Sequence, residues 1–135
     1  MSTPGRPKGE YRSAQHGCLM SARTDPAAVA QRQLDAYNAR DLPRFLAEYS
    51  DDVRLYRPPA PEPTLNGKAA LAAHYAAQRF NLPGLHAELV NRMVFGNKVI
   101  DHERISGVRE QPFEVAAVYE VVDGLIRCAW FYAAD

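Results

Sequence analysis

The sequence predicts an α+β fold, with helices gathered in the first half and a bent, mainly antiparallel sheet in the second. Three observations predict it. Helical spacing of apolar residues prevails up to about residue 80, broken by one short strand. From Leu85 onward, two pairs of long alternating segments meet at Gly96-Asn97 and Asp123-Gly124, both strong hairpin turns. In the first pair, both faces are half apolar. Val90, Val94, Val99 and Ile105 lie on one face, and Leu89, Met93, Phe95 and Ile100 on the other. A sheet with one solvated face alternates cleanly. One covered by helices on one side and by a second subunit on the other does not.

Composition narrows the classes. A chain of 135 residues, 47% hydrophobic, is expected to form one domain. Lys+Arg and Asp+Glu are 16 each, so there is no net basic charge to suggest nucleic-acid binding. No apolar run approaches the length of a membrane span. Cys18 and Cys128 fall in a polar tail and a strand, which argues against a disulfide between them and for a reducing cytoplasm. His16, His74, His86 and His102 show no paired metal-ligand spacing, so neither metal nor other cofactor is expected.

Residues 1–24, rich in Pro, Gly, Ser and Arg, read as a disordered tail in which Met20 is an alternative start. The folded domain is expected over residues 25–135. Asp25-Pro26 opens the first helix with an N-cap and a proline at N1. Val29, Gln33, Ala36 and Tyr37 then recur at helical spacing, with Leu34 beside them. Asp41 caps a second, short helix with Phe45, Leu46 and Tyr49 on its apolar side. Asp51-Asp52 breaks the pattern, and Val53, Leu55 and Arg57 alternate as a short strand. Pro58, Pro59, Pro61 and Pro63 make a stiff loop. A third, Ala-rich helix runs from Lys68 to about Phe80, with Leu71, His74, Tyr75 and Gln78 sharing a side. The tight turns set the strand registers. Phe95 is expected opposite Lys98, Val94 opposite Val99, Arg92 opposite Asp101 and Val90 opposite Glu103. In the second hairpin Tyr119 is expected opposite Cys128, Ala117 opposite Trp130 and Val115 opposite Tyr132.

The chemistry concentrates in the strand from Asn97 to Gly107, where Asp101-His102-Glu103-Arg104 interrupt an apolar run. Side chains alternate along a strand, so Asp101 and Glu103 share a face with Val99 and Ile105, while His102 and Arg104 share the other. Asp-His-Glu therefore cannot close around one metal ion. The two acids stand about 7 Å apart, from a rise of roughly 3.3 Å per residue. Two readings stay open: a general acid/base pair with Arg92 as electrostatic partner, or an ion pair that merely stabilises the sheet. In an apolar cavity, burial and repulsion raise a carboxyl pKa, and arginines lower it. One of the two acids is expected to hold its proton near neutral pH.

The runs Ala-Tyr-Asn-Ala-Arg-Asp-Leu (36–42), Tyr-Ser-Asp-Asp-Val (49–53), Asn-Gly-Lys-Ala-Ala-Leu (66–71) and Tyr-Glu-Val-Val-Asp-Gly-Leu-Ile (119–126) resemble the nuclear transport factor 2-like superfamily, in its SnoaL-like and ketosteroid-isomerase-like branch. The resemblance implies a cone-shaped half-barrel, the cystatin-like α+β roll, enclosing a pocket and usually dimeric. Its members include isomerases, hydrolases, cyclases and non-catalytic binders, so the site needs its own argument. Matching to ketosteroid isomerase puts Arg57, Gln33 and Ala117 where that enzyme carries its base and oxyanion donors. Authentic ketosteroid isomerase activity is therefore not expected. Tyr49 and Tyr75 match its supporting tyrosines. The same matching turns Val53, Leu55, Arg57, His74, Cys128, Trp130 and Tyr132 towards the cavity that Asp101 and Glu103 enter. Asp101, Glu103, Arg57 and His74 are then the catalytic candidates. Tyr49, Tyr75, Arg92, Trp130 and Tyr132 are the ligand-binding ones. Arg57 would hold an anionic or carbonyl group or neutralise the acids, a pattern similar to the acid–Arg–acid site of limonene epoxide hydrolase. His74 would donate a proton or simply pack. Trp130 and Tyr132 would form pocket wall. The expected activity is cofactor-independent acid/base chemistry, of isomerase, cyclase or hydrolase type, on a small, mostly apolar molecule. The alternative is a dimeric, non-catalytic ligand-binding or interaction module.

Overall fold

Asp25 starts the first helix as its sequence requires: its carboxylate accepts from Ala27 N at 3.2 Å, and Pro26 occupies the first turn. The computed structural model describes residues 25–134; the expected disordered tail and the alternative start lie outside them. Helix α1 (Pro26–Asn38) buries Val29, Ala30, Gln33, Leu34 and Ala36 on one side. Helix α2 (Leu42–Leu46) is capped by Asp41, whose carboxylate accepts from Arg44 N at 3.2 Å. Helix α3 is Lys68–Gln78. The strands are β1 (Tyr49–Tyr56), β2 (Leu65–Asn66), β3 (His86–Phe95), β4 (Lys98–Ser106), β5 (Phe113–Val122) and β6 (Leu125–Ala133). They form one mixed sheet in the order β2-β1-β6-β5-β4-β3, with the helices packed on it. This is the α+β layout the sequence predicts. No helix among the described residues is long and apolar enough to cross a membrane.

Three details depart from the expected layout. Tyr49 belongs to β1 and not to the second helix, and the strand irregularity between Tyr49 and Arg54 leaves Asp51 and Asp52 exposed. β1 runs parallel to β6, with Leu55 beside Ala129 and Tyr56 beside Trp130. Leu65–Asn66 adds a short antiparallel edge.

The registers follow the turns only as far as the first bulge. In the β3–β4 hairpin Phe95, Val94 and Arg92 oppose Lys98, Val99 and Asp101 as expected. An irregularity between Leu89 and Asn91 then takes up Val90, so Leu89, not Val90, faces Glu103. In the β5–β6 hairpin Val121 opposes Ile126, and a second irregularity takes up Arg127. Beyond it Tyr119 opposes Ala129, Ala117 opposes Phe131 and Val115 opposes Ala133, one residue away from the expected pairing. A one-residue slip exchanges faces. Phe131 turns inward, while Trp130 and Tyr132 turn outward.

The inner face carries the core. Phe45 anchors an aromatic cluster, with ring centroids 4.7 Å from Tyr75, 4.9 Å from Tyr49 and 5.2 Å from Phe80. A second cluster forms where Leu34 of α1 meets Ala87 and Ile105. Asn38 fastens α1 to β3: its amide donates to Ala87 O at 3.0 Å and its carbonyl accepts from Ala87 N at 2.8 Å.

After β4 the chain turns at Gly107, with φ of +84°, directly against Gly84. A Cβ there would lie 2.1 Å from Gly84 O and 2.7 Å from Leu85 N, so no side chain fits without separating two backbones. Gly107→Ala is expected to cost about 2–5 kcal/mol, from backbone strain plus overpacking. Urea unfolding measures it; an unchanged midpoint would mean that residues 83–85 give way freely.

Candidate active site

Strand β4 places Val99, Asp101, Glu103 and Ile105 on the inner face, all buried, while His102 and Arg104 are exposed on the other. Asp101 is 0% exposed. Arg92, opposite it in register, donates from Nε to Oδ1 at 2.7 Å and from Nη2 to Oδ2 at 3.0 Å. Its Nη1 donates to Gln31 Oε1 of α1 at 2.9 Å. Planar, two-point pairing is the geometry in which arginine holds a carboxylate best. The carboxylate also raises the pKa of the Arg92 guanidinium, chiefly through this hydrogen bond.

Glu103 sits in a different environment. It is 5% exposed, and its Oε2 has no hydrogen-bond partner among the described residues. Burial, followed by the negative charge on Asp101, raises its pKa from 4.5 to about 8, with Arg92 opposing the shift. At neutral pH most of it is a carboxylic acid able to donate a proton.

Glu103 faces a cavity of ≈ 60 Å³ beneath α1. Gln33, Leu34 and Tyr37 of α1 form one side. Ile105, Phe113, Val115, Tyr119 and Phe131 of the sheet form the other. Arg57, just past β1, and Arg79, just past α3, supply two guanidinium groups. Arg57 lies over the Phe131 ring at 5.4 Å from its centroid. Arg79 acts to lower the pKa of the Tyr37 hydroxyl, but burial outweighs it and the pKa is raised. A hydrogen-bond chain closes the inner end. Tyr49 OH donates to Gln33 Oε1 at 3.0 Å, and Gln33 Nε2 donates to Tyr119 OH at 3.2 Å. Burial holds both phenols neutral by raising their pKa. The wider depression of ≈ 720 Å³ around residues 109–114 contains no buried titratable group.

Of the residues singled out from sequence, Glu103 and Arg57 line the cavity, and Asp101 with Arg92 lies on the same sheet face, joined to each other. Tyr49 stands behind Gln33. Tyr75 belongs to the aromatic cluster, where burial raises its pKa to about 12. His74 packs edge-on against Tyr75 and does not line the cavity; burial, then Arg79 and Arg57, lower its pKa. Trp130 and Tyr132 do not line this cavity. Trp130 stacks on Tyr56 on the outer face, its centroid at 5.8 Å, and Tyr132 lies beside His102 and Ala116. Sequence reasoning missed Tyr37, Arg79, Tyr119 and Phe131 as cavity residues. Tyr37 and Gln33, four residues apart on α1, were legible as one helix face. Phe131 was hidden by the bulge at Arg127, and Arg79 lies in the turn after α3 with no pattern to mark it. Among the described residues no three His, Cys, Asp or Glu side chains gather to hold a metal.

The buried pair has a measurable consequence. Arg92→Met leaves Asp101 buried without its counter-charge, which is expected to cost about 3–5 kcal/mol. Chemical denaturation at pH 7 tests this, and a loss under about 1 kcal/mol would mean that water reaches Asp101.

The SnoaL-like domain family matches residues 30–129. No curated protein matches the chain significantly. Solved structures share the fold. An uncharacterised cystatin-fold protein from Novosphingobium aromaticivorans is 23% identical with a TM-score of 0.71, over 78% of this chain and 96% of that one. A protein provisionally named a ketosteroid isomerase from Kribbella flavida is 21% identical with a TM-score of 0.70, over 82% and 78%. One provisionally named a polyketide cyclase from Sinorhizobium meliloti is 18% identical with a TM-score of 0.67, over 76% and 92%. With the cone-shaped α+β architecture and a match across most of its length, the chain belongs to the SnoaL-like domain family.

Proposed function

We propose that this protein is a cofactor-independent acid–base catalyst acting on a small molecule, with Glu103 as the proton donor. The observation that carries the reading is the buried, unpartnered Oε2 of Glu103 facing a cavity. A carboxyl group tuned to about 8 is matched to proton transfer near neutral pH. Asp101, the partner of Arg92, raises the pKa of Glu103 and so helps it retain its proton. Arg57 and Arg79 would stabilise negative charge that develops on the substrate. Tyr37 and Tyr119 would orient it. His74 would tune the site through the two arginines and Tyr75 and would not touch the substrate. Isomerisation, cyclisation and hydrolysis all fit this set. Ketosteroid isomerase chemistry does not, because Arg57, Gln33 and Ala117 stand where its base and oxyanion donors belong. A cytoplasmic setting, read from two lone cysteines, is part of the same proposal.

A dimer is the second element. The outer sheet face exposes Met93 and Phe95, the latter at 73%, and continues into half-buried Ile100, Val118 and Trp130. Exposed apolar patches of this kind mark contact surfaces. Leu89, placed on that face by simple alternation, packs inward and drops out of it, and Phe131 lines the cavity.

Glu103 gives the sharpest test. Its folded pKa lies above its unfolded one, so the native state holds a proton that the unfolded chain releases between about pH 4.5 and 8. Stability is then full below pH 4.5 and declines as pH rises through 8, by something on the order of 3–5 kcal/mol from this group. Glu103→Gln is expected to remove that decline. Where a substrate has been found by mass spectrometry of co-purified small molecules, the same change should cut turnover about 100-fold or more. Glu103 titrating by NMR near its ordinary 4.5 would overturn the assignment.

For the dimer, sedimentation velocity at micromolar concentration is expected to show two chains, and Ile100→Glu to dissociate them. A monomeric wild type removes the outer face as an interface.

A further inference from the structure

Within the described residues, Arg57 and Arg79 have no carboxylate partner, although both line the cavity. Arg57 rests on the Phe131 ring, and Arg79 meets the Tyr37 hydroxyl and the carbonyl of Gln78. The other acid on this sheet face, Asp101, is already committed to Arg92. The one acid in the cavity wall, Glu103, has a buried oxygen with nothing to bond. The cavity wall thus holds two cations and one buried, unbonded carboxyl oxygen, with no ion-pair partner for either arginine among the described residues.

We propose that the cavity binds a small monocarboxylate, its head group held by Arg57 and Arg79 and an oxygen of the same molecule bonded to Glu103. Guanidinium groups recognise carboxylates in their own plane, and such charge-assisted bonds are the strong ones. Leu34, Ile105 and Phe131 offer the apolar remainder a wall. A volume of ≈ 60 Å³ restricts the enclosed part to a few non-hydrogen atoms, since one water needs about 10–15 Å³ of the same measure. The substrate class is therefore a short acid, or a larger one with only its carboxylate end enclosed. This rests on the cavity being the functional site, and it replaces the mostly apolar substrate expected from sequence with one bearing an anionic end.

The titratable groups in and around the cavity fix the pH response. Asp101 is paired with Arg92. Tyr37, Tyr49, Tyr75 and Tyr119 are all held in the neutral form by burial, and burial together with the arginines favours neutral His74. Of these groups Glu103 alone changes charge near pH 8; once ionised it would repel a carboxylate in the same cavity.

Isothermal titration of the full chain with butyrate, and with butyramide as its uncharged counterpart, tests the proposal. Butyrate is expected to bind at least about tenfold tighter at pH 7, the difference one charge-assisted contact supplies. That preference should shrink as pH rises through 8, and persist at high pH in Glu103→Gln. Arg57→Gln with Arg79→Gln should abolish it, and the paired lysine variants should keep part of it. Absence of saturable butyrate binding, or equal binding of butyramide, overturns the proposal, and these wild-type measurements decide the matter should the double variant fail to fold. NMR titration of Glu103 separates the two proposals. A Glu103 near 8 with no butyrate preference sinks only the carboxylate. A Glu103 at its ordinary value sinks the acid–base reading whatever butyrate does.

Discussion

The bidentate pair between Arg92 and Asp101 is the constraint on which the site depends. A carboxylate with no exposure survives in a protein interior only if its charge is met and its oxygens are bonded. Arg92 meets both needs from the neighbouring strand, and Gln31 holds the arginine from the helix above. The pair ties β3, β4 and α1 together at one point. It also leaves Glu103, two residues on, without a counter-ion of its own. The second carboxyl then takes the cheaper course of keeping its proton. Two chemically similar acids on one strand face thus meet different surroundings, one paired with an arginine and the other left without a partner.

The strand face carrying these acids was legible from sequence. Period-two alternation through Val99, Asp101, Glu103 and Ile105 needs only that the segment be a strand, and the Gly96-Asn97 turn fixed Arg92 opposite Asp101. The helices were legible from their caps, Asp25 and Asp41, and from the apolar spacing of α1. What failed was everything beyond a bulge. Arg127 is exposed and charged in the midst of a strand whose alternation otherwise looked regular, and nothing local to it announces an unpaired residue. Because a bulge exchanges faces for every residue that follows, one undetected position misplaced Trp130 and Tyr132 together and concealed Phe131. Arg79 and Tyr37 escaped for another reason. Their meeting joins a turn after α3 to the end of α1, and no pattern within either segment encodes a contact between them.

The family explains the scaffold and stops there. Here the inner face of the sheet is partly filled by side chains. Tyr49, Phe45, Tyr75 and Phe80 occupy one end as solid aromatic core. The remaining space is small and unusually charged for its size. At neutral pH its wall holds two guanidinium groups and a neutral acid, so its local charge is positive although the whole chain is neutral.

That imbalance links ligand and proton. Arg92 favours ionisation of Glu103, while burial and Asp101 oppose it; the latter prevail. An anion between the arginines would cancel their field and strengthen the hold of Glu103 on its proton. Binding and protonation would then reinforce each other, as linkage requires of two sites that share one electrostatic field. The proton would be most firmly in place when the ligand is seated. On the proposed reading, such a proton donor would depend on the Asp101 carboxylate staying where Arg92 holds it, beside Glu103 on the same strand face.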